Sequence, residues 1–493
     1  MPDDASPAPL QPSPEAAEQF REFLNDSGYA SDPLIGSLGS GLSVRRRNEP
    51  LLLERTAEPS LLHTLARLFF VGADIPEGVA QAILPRWVVE FALAHRLVKL
   101  EHGALRPQVM IWNYEGRYIV SDTARLVSSI GANDLILGIN PSTTTLYRSI
   151  LPHKADRALD FGSGSGVQAI LLAERCGHVD ATDITPRAAH FGRFNARLNG
   201  VDNVSFHTGD RYAPLGDAKY DLIVSNPPFF VTPPSDHAHC ANPLELDEFC
   251  RLLARESAER LNPGGFFQMT CEWVEIEGEP WQERLRTWIE PTGCDAWILR
   301  AASDPGEEYA HSRLVETRWG TPQDDRDTYR EWVQYFRERQ VLQVHGGLML
   351  MRKREGANWI RIDEHLAHPK VKSLGVLLER GLAVEDWLRT QDDDALAAAK
   401  PRLVAGSQLL HRLDLTDDGW QLHGVALSTP TALTAAKPFR QDVAAFVSQL
   451  TGEAPLGELV AGLANEVEAP VEQVRKECFA LVRTLLREGF LEL

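Results

Sequence analysis

Asn226-Pro227-Pro228-Phe229 follows the apolar run Ile223-Val224-Ser225 and is succeeded by a second aromatic, Phe230. The two prolines stiffen the main chain, so the Asn226 side-chain carbonyl and the Pro227 backbone carbonyl can be aimed at one fixed spot. Two acceptors so arranged suit a planar amino group, whose lone pair is delocalised into a π system and is therefore a poor nucleophile. Holding both of its hydrogens turns the lone pair toward an electrophile, and Phe229 offers a face on which the planar group can stack. Pro228 and Phe230 belong to the same substrate-positioning stretch.

The electrophile is indicated upstream. Arg157-Ala158-Leu159-Asp160-Phe161 reads as an apolar strand running into Gly162-Ser163-Gly164-Ser165-Gly166, with a helix predicted over Val167–Glu174. The glycines let a ligand approach the backbone closely and expose the helix N-terminus. Asp160, two places before the first glycine, suits the positively charged amino end of S-adenosylmethionine and would repel a pyrophosphate. The next strand ends at Asp183, at the spacing of about twenty residues where an acid accepts from both ribose hydroxyls. Thr185 before Pro186 is the better helix cap, which leaves Asp183 free for the ligand, with Ile184 beside it. Asp210 closes a third strand and can accept from the adenine amine while the backbone N–H of Arg211 meets the ring. Acids at three successive strand ends fit an open parallel sheet, where ligands bind outside the carboxyl ends of the strands. Attack on a sulfonium needs no base beforehand, because the proton can leave afterwards.

These residues need a scaffold, and strands and helices alternate from about Arg157 to Lys353, as in a parallel sheet covered on both faces. The strand candidates are 157–161, 178–183, 204–208, 220–225, 265–271, 296–301 and 347–351, giving an α/β, Rossmann-like sheet of seven strands. Between the last two, Tyr329, Trp332-Val333 and Tyr335-Phe336 space as one amphipathic helix within 304–340. On the N-terminal side, residues 1–15 read as a disordered lead-in. Residues 16–125 read as three or four helices, then a hairpin turning at Glu101-His102-Gly103 and paired strands over 108–121, a winged-helix-like module. The central domain spans 126–354. Residues 355–493 are again mainly helical, with a strand pair across Asp417-Asp418-Gly419 and a terminal helical run ending in Gly489-Phe490-Leu491, a second winged-helix-like unit.

Asp160-x-Gly162-x-Gly164-x-Gly166, Asp183, Asp210 and Asn226-Pro227-Pro228-Phe229 resemble the class I methyltransferases of the small-domain type with an N-P-P-[FY] motif, over roughly residues 134–352. That resemblance implies S-adenosyl-L-methionine as cofactor and a planar amino nitrogen as acceptor. The family includes ribosomal RNA guanine-N2 and adenine-N6 methylators and the HemK-like glutamine methyltransferases. Pro141-Ser142-Thr143-Thr144-Thr145 is similar to the P-R-P-x-T-E segment of HemK-like enzymes, which marks Thr145 as substrate-positioning. The arginine and glutamate of that segment are missing, and Phe229 stands where HemK-like enzymes usually carry tyrosine. The expectation is therefore a nucleic-acid base, RNA ahead of DNA. A translation-related protein amide is the alternative, and a non-catalytic S-adenosylmethionine- or RNA-binding protein is a third reading.

Composition narrows the classes further. The 493 residues include 43% hydrophobic residues and carry a formal charge of -19. That charge opposes non-specific attraction to phosphates, so a nucleic-acid partner needs a local basic patch; Arg45-Arg46-Arg47 and Arg352-Lys353-Arg354 are the candidate runs. The six cysteines form no C-x-x-C pair, and His237-Ala238-His239-Cys240 has no second ligand cluster, so no metal is expected. No apolar run approaches membrane-spanning length, and the expected location is the cytoplasm.

Overall fold

In a computed structural model, residues 8–30, 34, 36, 38, 48–123, 135–234, 244–317, 322–363, 374–429, 432–434 and 436–493 are described. Residues 1–7, Arg45-Arg46-Arg47 and His237-His239-Cys240 lie outside the described residues. The central sheet has strands β1 (Ala155–Phe161), β2 (Cys176–Asp183), β3 (Val204–Thr208), β4 (Tyr220–Ser225), β5 (Leu261–Ile276), β6 (Cys294–Pro305), β7 (Val341–Lys353) and β8 (Ile360–Asp363). Their order is β8-β6-β7-β5-β4-β1-β2-β3. All seven expected strands are present, but β8 adds an eighth at the edge. Ile360-Arg361-Ile362 is too short and too mixed to announce a strand, and the N–H of Ala296 donating to the Trp359 carbonyl at 2.8 Å fastens its approach to β6.

Strands β1 to β4 are parallel, and β1 lies between β4 and β2. In the middle of the sheet Ala158, Leu159, Leu222, Ile223 and Val224 are all buried, the continuous apolar pattern of strands covered on both faces. The chain reverses its direction of progress across the sheet between β1 and β4, which opens a crevice at their carboxyl ends. β7 returns antiparallel to β5. Two helices, Gly306–Thr317 and Pro322–Glu338, precede β7 where one was expected. The aromatic spacing from Tyr329 to Phe336 marks only the second, because the first buries few residues, Tyr309 and Ala310 among them.

By compactness the chain divides into two units: Met1–Tyr147, Lys154–Ile298 and Ala302–Ile362 form one, and Arg148–His153, Leu299–Ala301 and Asp363–Leu493 the other. In the first unit five α-helices are described ahead of Val98, not three or four. The apolar run from Leu61 breaks into a π-helical turn, Arg67–Val71, that ends on left-handed Gly72. Residues 8–13, expected to be disordered, are tied down: the N–H of Leu10 donates to the His95 carbonyl at 3.1 Å, and Ser13 caps the helix Pro14–Asp26. The hairpin Val109–Tyr114/Arg117–Asp122 docks on the helix Pro186–Asn199 through two side-chain amides one turn apart. Asn195 accepts from Val120 N–H at 2.8 Å and donates to its carbonyl at 2.9 Å; Asn199 does the same for Tyr118 at 2.9 and 2.7 Å. The two amides extend a strand edge without a strand. Asn195 donates as well to the Ser165 carbonyl at 2.9 Å, joining the hairpin to the glycine turn.

The second unit holds the helix Leu374–Thr390, the hairpin Gln408–Thr416/Gly419–Ser428 across the expected turn, and the helices Gln441–Ser448, Leu456–Glu466 and Val471–Glu488. Leu456, Phe479, Val482 and Leu486 share its core. The final strand, Leu491–Glu492, pairs with Arg402–Leu403.

Candidate active site

The parallel register fixes the frame: Asp160 lies opposite Val224 and Ala181, and Phe161 opposite Ser225 and Thr182. Asn226, the glycine turn, Asp183 and Asp210 thus stand at the carboxyl ends of four neighbouring strands, β4, β1, β2 and β3.

The turn after β1 is built for close approach. Gly162 and Gly164 have φ of 70° and 52°, and a Cβ at either position would meet nothing within 4 Å, so their backbone borders open space. Gly166 differs: at φ 77° a Cβ would come within 2.8 Å of the Phe206 ring. Ser163 is buried, its N–H donating to the Thr182 carbonyl at 2.9 Å and its carbonyl accepting from Gly166 N–H at 2.7 Å. Asp160 is buried beneath the turn, and its Oδ2 accepts from the Ala169 N–H at 3.0 Å. Burial pushes this carboxyl up to about 7, the bond from Ala169 opposes the rise, and the Asp183 charge adds to it. A cationic amine brought beside it would restore the charged form.

Asp183 is not left free as expected. Its Oδ2 accepts from Gly164 N–H at 2.9 Å and its Oδ1 from Thr185 N–H at 2.9 Å, while Thr185 itself caps the helix Pro186–Asn199. The Thr185 hydroxyl also donates to Oδ1 at 3.2 Å; a carboxylate has about four acceptor sites, so these three bonds orient Asp183 and leave acceptor capacity for about one further donor. Ile184 is 61% exposed beside it, an apolar surface for a flat ring. The Asp210 side chain is exposed too, with Arg211 Nε at 3.4 Å. Arg211 takes φ 47° and reaches Glu256 at 2.7 Å, which ties this strand end to the helix Glu248–Arg260.

At the end of β4, the Thr270 hydroxyl donates to Asn226 Oδ1 at 2.6 Å and fixes which way the amide faces. Pro227 is buried, and Pro228 is partly so. Phe229 packs against the core formed by β4, β5 and the helix Glu248–Arg260, 5.5 Å from the Phe230 ring, so part of its surface serves the core rather than a ligand. Thr145 is half-buried on the helix Pro141–Ser149, which Gln168 secures by donating to the Thr143 carbonyl at 2.9 Å.

Sequence reasoning passed over Thr270. Its signal is visible in retrospect: in the buried strand β5, Gln268, Thr270 and Glu272 are polar at every second position. The basic run Arg352-Lys353-Arg354, by contrast, is engaged within the molecule. Arg352 and Arg354 pair with buried Asp295 at 2.7 and 3.2 Å, and Lys353 donates to the Thr292 carbonyl at 2.8 Å. Cys176, Cys250, Cys271, Cys294 and Cys478 are buried, as small apolar residues would be. Among the described residues no group of three or more His, Cys, Asp or Glu could hold a metal ion, and no helix is long and apolar enough to cross a membrane.

An acid and glycine turn after the first strand, an acid after the second and an Asn-Pro-Pro-Phe turn after the fourth define a class: the chain belongs to the class I S-adenosylmethionine-dependent methyltransferases of the small-domain type. The family model for the methyltransferase small domain matches residues 138–272. The chain is 34% identical over 173 residues to the ribosomal protein uL3 glutamine methyltransferase of Bradyrhizobium diazoefficiens, covering 31% of this chain and 53% of that one. It is 34% identical over 172 residues to the release factor glutamine methyltransferase of Geobacter sulfurreducens, covering 31% and 55%. It is 30% identical over 201 residues to the tRNA1(Val) (adenine(37)-N6)-methyltransferase of Escherichia coli O157:H7, covering 36% of this chain and 80% of that one. The chain spans about half the length of the two glutamine methyltransferases.

Proposed function

We propose that this chain transfers a methyl group from S-adenosylmethionine to the exocyclic amino nitrogen of a nucleic-acid base, in RNA ahead of DNA, at adenine N6 or guanine N2. The observation that carries the reading is Asn226: its Oδ1 is held by Thr270 at the end of β4, one strand from the glycine turn, and is followed by two prolines. The cofactor supplies a methyl group on a sulfonium. Asn226 Oδ1 and the Pro227 carbonyl accept the two N–H hydrogens of the planar amine, rotating its lone pair out of conjugation. Thr270 occupies one acceptor site of Oδ1 and leaves another for the substrate. No side chain need remove a proton first; the methylated cation loses its proton to water afterwards.

Asp160 would hold the amino end of the cofactor, Asp183 the ribose, and Asp210 with Ile184 the adenine. The order of elements supports a winged-helix-like reading of the N-terminal module. Helix Leu61–Ala66, strand Ile75–Pro76, helices Glu77–Ile83 and Arg86–Ala94 and a hairpin follow one another, with the first strand beside the last, Ala104–Pro107. We assign residues 16–125 and 355–493 to substrate capture and 126–354 to transfer.

A glutamine amide is the second reading, favoured by the two relatives named as glutamine methyltransferases, because the same pair of acceptors fits a carboxamide. The test is incubation with tritium-labelled S-adenosylmethionine and fractionated lysate of a strain lacking the protein. Label in RNA supports the base reading, and label in protein alone overturns it.

A further inference from the structure

Behind the Asn-Pro-Pro-Phe turn lies a buried polar cluster that the transfer chemistry does not use. Glu272 is 2% exposed on β5, two residues beyond Thr270 and hence on the same face of the strand. It accepts from the Tyr309 hydroxyl and pairs with Arg313, both on the helix Gly306–Thr317 and one turn apart. The Tyr309 oxygen in turn accepts from the Val231 N–H at 3.0 Å, and the Arg313 guanidinium lies 4.4 Å from the centre of the Phe230 ring. Burial pushes the Glu272 carboxyl up, against the pull of Arg313 and the Tyr309 bond.

An ionised acid taken out of water is costly unless it is both paired and hydrogen-bonded, and removing one partner strands the others. Both of these partners also touch the segment that follows the motif. One face of β5 therefore grips the turn at two points: Thr270 holds Asn226 at its start, and Glu272, through Tyr309 and Arg313, holds Phe230 and Val231 at its end.

We propose that Glu272, Tyr309 and Arg313 are positioning residues that set the geometry of the Asn226-to-Val231 turn, so that the helix inserted before β7 is part of the transfer apparatus. This rests on the function proposed above, and the group acts through Phe230 and Val231 without touching cofactor. A guanidinium stacked on an aromatic ring and a single backbone hydrogen bond hold the turn in one conformation; loss of either lets it sample others in which the two acceptors diverge.

The test compares the full-length chain with Tyr309→Phe, which keeps the ring and removes the hydroxyl, and with Glu272→Gln, which keeps the shape and removes the charge. Hydrogen–deuterium exchange should rise at least tenfold for peptides covering residues 226–234 in Tyr309→Phe and stay unchanged for β1. Affinity for S-adenosylhomocysteine should remain within twofold. Transfer of tritium into whichever lysate fraction the parent protein labels should fall about tenfold in kcat, with KM for S-adenosylmethionine unchanged. Unaltered exchange in the turn, or equal loss of cofactor affinity and kcat, overturns the proposal. If the parent protein labels no fraction, the proposed function fails while the exchange measurement still decides whether the cluster holds the turn.

Discussion

With Asp160 holding the amino end of S-adenosylmethionine, as proposed, cofactor affinity is expected to depend on pH. Burial lifts its carboxyl to about 7, so in the free protein it is largely protonated at pH 6. The ammonium of the cofactor favours the ionised form, and binding below pH 7 must therefore release a proton. With a value of about 7, roughly one molecule in eleven is ionised at pH 6 and ten in eleven at pH 8, so affinity should be about tenfold weaker at pH 6. For stability of the free protein the sign is opposite to that of a salt-bridged acid. The unfolded carboxyl ionises near 4 and the folded one near 7, so stability falls as pH rises between them, by at most about 4 kcal/mol. Calorimetric titration of S-adenosylhomocysteine, which retains the amino group, at pH 6, 7 and 8 in two buffers of different ionisation enthalpy reads both affinity and proton release. Asp160→Asn keeps an oxygen to accept from Ala169 and should bind weakly with no such pH dependence. A parent affinity that is flat from pH 6 to 8, or an equal slope in Asp160→Asn, would show that Asp160 does not hold the cofactor's ammonium.

Thr270→Val is nearly isosteric and frees the Asn226 amide; losing a bond worth about 1 kcal/mol in the transition state should slow transfer roughly five- to tenfold while S-adenosylhomocysteine affinity stays unchanged. Gly166→Ala places a Cβ against Phe206 at φ 77° and should lower both thermal stability and cofactor affinity, measured by melting with and without S-adenosylhomocysteine. Asn195→Ala leaves the N–H and carbonyl of Val120 and the carbonyl of Ser165 unpaired in a buried place. It should destabilise the protein by about 3 kcal/mol in denaturant unfolding, and a change under about 0.5 kcal/mol would show that those groups find other partners.

The strand-end positions proposed for the cofactor were legible because they are read locally. Asp160, Gly162, Gly164 and Asp183 sit at strand ends, where spacing along the chain corresponds to position in space. Strands β1 to β4 were recognisable for the same reason, their apolar runs being short and bounded by glycine or proline. The setting of the Asn226-to-Val231 turn depends on contacts across 44 residues in the case of Thr270 and 78 in the case of Tyr309. Such contacts leave only an indirect trace, the alternating polar residues of β5. Asp183 misled in one respect, since a helix cap at Thr185 did not predict that both of them would bond each other. The edge strand β8 was missed because four residues carry too little pattern, and the tethered residues 8–13 because their polar, proline-rich composition gives no sign of the bonds to His95 and His190.

The methyl acceptor proposed for this chain is a planar amino nitrogen. The most direct test is to label the acceptor with tritiated S-adenosylmethionine, digest it to nucleosides or amino acids, and identify the methylated species by mass spectrometry. N6-methyladenosine or N2-methylguanosine is the expected product, and it should disappear in Asn226→Ala while S-adenosylhomocysteine binding persists. A methyl group on a ribose oxygen, a ring carbon or a carboxylate would contradict the claim.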